Sequence, residues 1–392
     1  MPWRITGLIE CRREFCELVT VTGMSVKGAC REFKISRKTG HKWLNRFRQG
    51  GIAGLSDRSR KPQRCPGRAC TDLERLVVRY KKRYPYWGPR KIHRLVYKDH
   101  PEAEHFSIST VARILSRHGL VIPREPKVVH STIGCFERSE PNELWQMDLK
   151  MALRLPDGTK RYVAGILDDH SRYVLGLWWL DNLTAESVLS CWIAAVRSYG
   201  LPRQTLTDHG AQFRMEDHTT SAFRAYLWAC GVQHTQGRVA HPQTQGKIER
   251  FWRTFQNELT PQLKQVKPAK WERLTEQWLL QYNTLRPHES LDDMTPASRY
   301  QPSMCAYVAP DYGARIGRPE SVYRRVSPRG IISLGGKLLM IGRGLAKWTV
   351  EARPLGNGCW HIYFRNHFLK EFLLSKPKES VTYVPVQVLP IS

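Results

Sequence analysis

Three acidic residues sit in local settings suited to metal-assisted chemistry. They are Asp148 in Leu144-Trp145-Gln146-Met147-Asp148-Leu149, Asp208 in Leu206-Thr207-Asp208-His209-Gly210, and Glu249 in Gly246-Lys247-Ile248-Glu249-Arg250-Phe251. The first two fall within or at the end of short apolar runs that read as strands, and the third lies on a stretch of helical periodicity. Carboxylates gathered from separate elements are what a pair of hard, oxygen-seeking divalent ions requires. With 62 Lys and Arg against 35 Asp and Glu, the formal charge is +27, which points to a polyanionic partner and a phosphodiester substrate.

The elements that must position these acids follow from the residues between them. Leu144–Met151, Tyr162–Leu167 and Tyr173–Leu180 are apolar or alternating runs, separated by turn sequences at Pro156-Asp157-Gly158 and Asp169-His170-Ser171-Arg172. They predict three antiparallel strands. A helix over 185–199 follows, capped by Thr184 and stopped by Gly200, and then a short strand, Gln204–Thr207, that delivers Asp208. A helix over 219–230, a strand at Val232–Thr235 and a loop rich in Gly, Gln and Pro lead to the helix of Glu249. There Ile248, Phe251, Phe255 and Leu259 share one face, while Glu249, Arg253 and Gln256 share another. Asp168 and Asp169 compete for a metal role, but their place ahead of His170-Ser171-Arg172 suits carboxylates that bond turn amides.

The basic surplus is unevenly placed. Residues 1–135 carry 29 Lys and Arg against 11 Asp and Glu; residues 136–310 carry 20 against 19; residues 311–392 carry 13 against 5. A nearly neutral middle holding the three acids therefore lies between two basic ends. In the first end, helices are predicted over 9–22, from Ser25 to Phe33, and from Ser36 to Arg48, the last with Arg37, Lys38, His41 and Lys42 on its polar face. That is a helix-turn-helix pattern with DNA as the partner, or a generic small helical bundle with a solvated basic face. Gly40 inside the third helix costs about 1 kcal/mol relative to Ala. The domains read as a helix-turn-helix over 1–50, a basic Gly- and Pro-rich linker over 51–72, and a second helix-turn-helix-like unit over 73–125. In the second unit Arg90 and Lys91 are either phosphate contacts or solvated helix residues.

Ten cysteines are scattered without a Cys-x-x-Cys pair, and Cys11/Cys16 and Cys65/Cys70 lack a nearby His pair, so reduced, mostly buried thiols are expected rather than zinc ligands. No signal-peptide core and no apolar run of about 18 residues is present. The expectation is a cytoplasmic, nucleoid-associated protein with no membrane contact.

The order of strands and helices, with acids on the first strand, after the fourth and on a late helix, is the ribonuclease-H-like plan. Trp145-Gln146-Met147-Asp148, Leu167-Asp168-Asp169-His170-Ser171-Arg172-Tyr173, Thr207-Asp208-His209-Gly210 and His241-Pro242-Gln243-Thr244-Gln245-Gly246-Lys247-Ile248-Glu249-Arg250 resemble the catalytic core of bacterial insertion-sequence transposases of the retroviral-integrase-like DDE group. Tyr282-Asn283, Arg286-Pro287-His288, Leu291 and Thr295-Pro296 resemble the segment that follows that core. The resemblance covers about residues 140–305, a mixed α/β core. It implies that Asp148, Asp208 and Glu249 are catalytic and hold two Mg²⁺ ions, for which Mn²⁺ can substitute, about 3.5–4 Å apart. It further implies double-stranded DNA partners, both transposon ends and target, and a dimer or higher homo-oligomer. Lys247, Arg250 and Arg253 flank Glu249 as DNA grips, with an internal salt bridge as the other reading of Arg250. His241 and His288 either contact DNA or fix loops. Two departures stand out: His209 where Asn is usual, and Gln256 where a basic residue is common. The extra chain between Asp208 and Glu249 is expected in a loop at Met215–Thr220.

Residues 320–376 alternate β-rich runs with Gly turns, at Gly330–Ser333, Lys337–Met340, Lys347–Val350 and Trp360–Phe364, which predicts a small barrel, and the family resemblance implies that it is SH3-like. The function expected is a transposase that binds terminal inverted repeats, cleaves the ends and transfers 3′-OH strands. The alternatives are a catalytically silent DNA-binding regulator of the same descent, and a ribonuclease for RNA–DNA hybrids, which leaves the helix-turn-helix units unexplained.

Overall fold

A computed structural model describes residues 7–57, 69–101, 106–121, 137–155, 158–210, 212–213, 220–237 and 246–374. His241, most of the Met215–Thr220 loop and the centre of the basic linker lie outside the described residues. The chain divides into two compact units, 1–69 and 70–392.

In the first unit, α1 (Leu8–Thr20), α2 (Val26–Glu32) and α3 (Arg37–Gly50) surround a small core of Phe15, Cys16, Ala29, Cys30, Trp43, Leu44 and Leu55. Ser25 accepts a hydrogen bond from the Gly28 amide (3.2 Å) and Ser36 one from the Thr39 amide (3.1 Å), so both predicted caps form. Gly40 owes its place to packing. A Cβ there would collide with the Cys30 sulfur and the Phe15 ring, so its helix-propensity cost is offset by the close approach of α3 to α1 and α2. Buried Arg12 donates to the Leu55 carbonyl (2.7 Å), pairs with Asp57 (3.0 Å) and lies 3.7 Å over the Trp43 ring.

The second unit begins with α4 (Thr71–Arg83), α5 (Pro89–Asp99) and α6 (Ile108–Arg117), packed through Leu73, Val77, Ile92, Leu95, Val96, Val111, Ile114 and Leu115. The catalytic-core region follows: β1 (Leu144–Arg154), β2 (Lys160–Asp168), β3 (Val174–Leu180), α7 (Ala185–Tyr199), β4 (Gln204–Thr207), α8 (Ala222–Ala229), β5 (Gln233–Gln236), α9 (Gly246–Glu258), α10 (Thr260–Leu263) and α11 (Trp271–Thr284). The sheet runs β3-β2-β1-β4-β5, antiparallel through β1 and parallel from β1 to β5. This is the ribonuclease-H-like order. On one face Trp145, Met147, Ala164 and Ile166 pack with Val188, Trp192, Phe223 and Leu227 of α7 and α8. On the other, Val163, Leu167 and Val174 pack with Ile248, Phe251, Trp252 and Phe255 of α9 and with Trp271, Trp278 and Tyr282 of α11.

The last region holds β6 (Val322–Arg325), β7 (Ile331–Leu334), β8 (Lys337–Met340), β9 (Thr349–Gly356), β10 (Cys359–Phe364) and β11 (His367–Leu373). The expected small barrel takes the form of a four-stranded sheet, β11-β10-β9-β6, and a two-stranded hairpin, β7-β8. Its core joins that of the catalytic region through α8. Trp348 meets Tyr226 with ring centroids 6.2 Å apart, His367 stacks on Trp228 at 4.0 Å, and the Tyr226 and Tyr307 hydroxyls are 2.6 Å apart. Among the described residues no helix is long and apolar enough to cross a membrane.

Candidate active site

Strand alternation sorts the side chains of β1. Trp145 and Met147 enter the core beneath α7, whereas Gln146 and Asp148 face α9. Gln146 is buried and works in both directions: its amide donates to Asp169 Oδ1 (2.8 Å) and its carbonyl accepts from the Ile248 amide (3.2 Å). The strand of Asp148 is thereby tied to the helix of Glu249. The parallel pairing of β1 with β4 sets Leu144 beside Gln204, Trp145 beside Thr205 and Gln146 beside Leu206. Continued by two residues, that register brings Asp148 level with Asp208.

Asp208 ends β4 in an Asx turn, its carboxylate accepting the Gly210 amide at 2.9 Å. Asp148 accepts the Leu149 amide at 2.8 Å and pairs across strands with Gly165 of β2. A Cβ on Gly165 would lie 2.9–3.0 Å from the Trp252 ring, so the missing side chain lets that indole lie on the sheet beside Asp148. Burial pushes the Asp148 carboxyl up to about 6. The Leu149 amide opposes this, the charge of Asp208 adds to it, and the Trp252 indole and Lys150 oppose it again. Trp252 Nε1 is buried and has no partner at regular hydrogen-bond geometry, so it acts on Asp148 as a dipole rather than through a formed bond. Two repelling, half-buried carboxylates form an all-oxygen donor set of the kind a hard divalent cation relieves.

Glu249 is exposed on the first turn of α9, and the carboxylates of Asp148, Asp208 and Glu249 do not all lie within 4.8 Å of one another. A third carboxylate brought to the pair adds to its repulsion unless a cation is there to offset it. Trp252, three residues further along the same helix, rests beside Asp148, so α9 carries Glu249 on a helix that already packs beside that aspartate.

The basic residues divide into two groups. Arg37, Lys38, His41 and Lys42 are exposed on α3, with the Lys42 ammonium 4.8 Å from the Trp43 ring. Arg250 and Arg253 are exposed on α9, and neither has an ion-pair partner among the described residues, which leaves no internal salt bridge for Arg250. Arg90 and Lys247, expected as phosphate contacts, are engaged by internal carboxylates. Arg90 Nε is 2.8 Å from Asp293 and its Nη1 is 2.6 Å from Glu289, and Arg94 adds a 2.8 Å bond to Asp293. These contacts clamp α5 to the turn after α11. Lys247 Nζ is bonded to Asp169 Oδ2 at 2.5 Å with little exposure. Lys91 is half-buried rather than solvated. Burial and the nearby Arg286 push its pKa down to about 8, against the pull of Glu258, and Arg250 lowers it further.

Asp168 and Asp169 hold the turn together. Asp168 accepts the Ser171 amide (2.8 Å), the Ser171 hydroxyl (2.6 Å) and the Asn142 amide (2.8 Å); Asp169 accepts from Arg138, Gln146 and Lys247. His209 bonds the Gly237 carbonyl, so the departure from Asn fastens the Asp208 loop to the end of β5. His288 is buried edge-on against Tyr282 (4.8 Å), where burial holds it neutral, and so fixes the core. Sequence reasoning missed Gln146 as the β1–α9 tie and Trp252 with Gly165 as the wall beside Asp148. It also missed Asn283, which clamps Val174 with bonds of 3.0 and 2.9 Å. The spacing of Trp271, Leu274, Trp278 and Tyr282 carried a signal for α11, and Gln146 and Asn283 stand within motifs that carry the resemblance; nothing local marked Trp252 or Gly165.

Models of the Integrase core domain match residues 138–242 and 230–296, a Helix-turn-helix domain matches 12–63, and a Homeodomain-like domain matches 39–115. The helix-turn-helix matches imply DNA binding. The uncharacterized 39.2 kDa protein of insertion element IS476 from Xanthomonas euvesicatoria is 24% identical over 266 residues, 67% of this chain and 74% of that protein. The transposase for insertion sequence element IS904 of Lactococcus lactis subsp. lactis is 25% identical over 164 residues, 41% of this chain and 62% of its own. Among solved structures, the HTLV-2 integrase catalytic core domain in complex with magnesium aligns at 18% identity, covering 42% of this chain and 99% of that chain, with a TM-score of 0.35.

Proposed function

We propose, for a chain that belongs to the retroviral-integrase-like superfamily of bacterial insertion-sequence transposases, that Asp148, Asp208 and Glu249 form the site at which transposon-end DNA is cut and joined to target DNA. The chain is a DDE-type polynucleotidyl transferase. The observation that carries the site assignment is the β1–β4 register, which levels Asp148 with Asp208 beside the helix of Glu249. A pair of Mg²⁺ ions bound to such carboxylates supplies activation of the attacking oxygen, first of water and then of a freed 3′-OH, and stabilisation of the leaving oxygen. The protein's own part is orientation. Leu149 and Gly210 amides fix one oxygen of each aspartate, Trp252 excludes water from one side of Asp148, and Gln146 holds α9 in register. Exposed Arg250 and Arg253, one and four residues beyond Glu249, are placed for the backbone of the DNA end. The α3 residues Arg37, Lys38, His41 and Lys42 serve recognition of the inverted repeat.

The test is strand transfer by the full chain on duplexes carrying the element's terminal repeats, with Mg²⁺. Asp148→Asn, Asp208→Asn and Glu249→Gln are each expected to lower the rate by more than about 100-fold, while gel-shift affinity for the repeat persists. Wild-type turnover in all three variants sinks the assignment. Repeat binding without cleavage in any divalent ion by the wild type identifies a silent regulator instead.

A further inference from the structure

The β10–β11 hairpin brings a thiol, an imidazole and a carboxylate to one spot. Cys359 and His361 are two residues apart on β10 and so share a face, and His361 pairs across the strands with Glu371. One potential ligand atom from each of the three lies within 4.8 Å of the others, and among the described residues no other group of three or more His, Cys, Asp and Glu does so. His361 Nε2 is 2.6 Å from Glu371 Oε2, and its Nδ1 is 3.4 Å from the Tyr363 hydroxyl. Tyr363 is the next residue on that face, and the Arg353 guanidinium lies 3.9 Å over its ring.

The imidazole geometry is the informative part. When Nδ1–H donates to Tyr363, Nε2 turns a lone pair toward the Glu371 carboxylate, which also offers only lone pairs. At 2.6 Å a proton lies between the two atoms, and a metal ion in its place requires them to stand farther apart. The Cys359 thiol adds a third donor to the same point. Burial first, and then Glu371, raise its pKa, so the thiol keeps its proton until something displaces it.

Sulfur, imidazole nitrogen and carboxylate oxygen together suit a borderline ion and disfavour Mg²⁺ and Ca²⁺. We propose that Cys359 Sγ, His361 Nε2 and the Glu371 carboxylate form a zinc site on the C-terminal β-module, with a fourth position open to water. Ligands on a tetrahedral zinc ion stand about 3.3 Å apart, so a small outward rotation of the exposed Glu371 side chain admits the ion. Binding releases the thiol proton, and the imidazole N–H then sits on Nδ1 facing the Tyr363 hydroxyl, which leaves the Nε2 lone pair for Zn²⁺. The ion then fastens β11, an edge strand, to β10. The site differs in donor chemistry from the all-oxygen pair of Asp148 and Asp208, so the two select different metals.

The experiment titrates the full-length, chelator-stripped protein with Co²⁺ and then displaces it with Zn²⁺. The expected result is a near-ultraviolet thiolate-to-cobalt charge-transfer band, with tetrahedral visible bands, saturating at one ion per chain. Carboxylates cannot produce that band, so the catalytic site is silent in it and Asp148→Asn leaves it unchanged. Cys359→Ser removes it, and His361→Gln and Glu371→Gln weaken cobalt binding by about 100-fold and about 10-fold. Zn²⁺ raises the melting temperature of the wild type and not of Cys359→Ser. Should Cys359→Ser fail to fold, the His361 and Glu371 variants carry the test. Absence of the band in the folded wild type means that a proton alone bridges His361 and Glu371, and overturns the proposal. A band that survives both Cys359→Ser and His361→Gln places the metal on other cysteines and overturns it equally.

Discussion

At the scale of single residues, the site depends on an absence. Gly165 is opposite Asp148, and its missing side chain is replaced by the Trp252 ring, which buries one flank of the carboxylate. Gly165→Ala puts a methyl group 2.9–3.0 Å from that ring and 3.2 Å from Leu177, in a strand where neighbours on both sides are packed. Overpacking of this kind costs about 1–3 kcal/mol. The expected outcome is a lower melting temperature together with reduced strand transfer, because the indole is displaced toward Asp148. Unchanged activity in the alanine variant means that the indole position does not matter to the chemistry. The chemistry-bearing residue types were legible from their immediate neighbours. Gly165 was not, because its partner comes from a helix about eighty positions away in the chain.

At the scale of elements, two carboxylate clamps decide how helices and strands are held. Glu351 of β9 is buried and accepts from the Arg318 amide (3.0 Å), the Ser321 hydroxyl (2.6 Å) and Arg353 (2.7 and 2.8 Å). Burial alone would raise its pKa, but these bonds outweigh it and bring the value down to about 2. A depressed folded pKa means stability that is present above the unfolded value, about 4.5, and lost as pH falls toward 2. Hydrogen exchange in β9 and β10 should therefore accelerate over that window. Glu351→Gln should abolish the pH dependence and lower local stability by about 3 kcal/mol at neutral pH, since Arg353 loses its counter-charge. The other clamp joins α5 to the core through Arg90, Arg94 and Asp293. Arg90→Ala is expected to speed exchange of the α5 amides and leave the salt dependence of DNA binding unchanged. Arg37→Ala and Lys38→Ala are each expected to reduce that salt slope by about 1. An Arg90 variant with a reduced slope returns this residue to the DNA.

At the scale of the molecule, acid sensitivity is built into the core. His234 and His288 are both buried and held neutral, at about 3 and about 2, by desolvation first and then by neighbouring cations. Their unfolded counterparts take up a proton near 6.5, so the unfolded state binds more protons below that pH. Stability is full above 6.5 and falls as pH drops, by roughly 1.4 kcal/mol per pH unit for each histidine. Chemical denaturation between pH 7 and 5 measures it, and His288→Gln should flatten the curve. The C-terminal module is part of this same unit, since Trp348 and His367 pack on α8 and the two regions share a core. A chain cut after residue 320 is expected to expose Tyr226 and Trp228 rather than leave an intact catalytic region.

By itself the sequence singled out three candidate acids, the strand or helix that carries each, and the concentration of positive charge at the two ends. Those properties are written in residue type, local periodicity and capping, none of which needs a distant contact. Tertiary structure alone decided that the β1–β4 register levels Asp148 with Asp208, because strand register acts between elements. It also decided that Arg90 and Lys247 serve internal carboxylates, and that Cys359, His361 and Glu371 converge. A cation's partner is chosen by the nearest unpaired carboxylate in space, and sequence order does not record that distance.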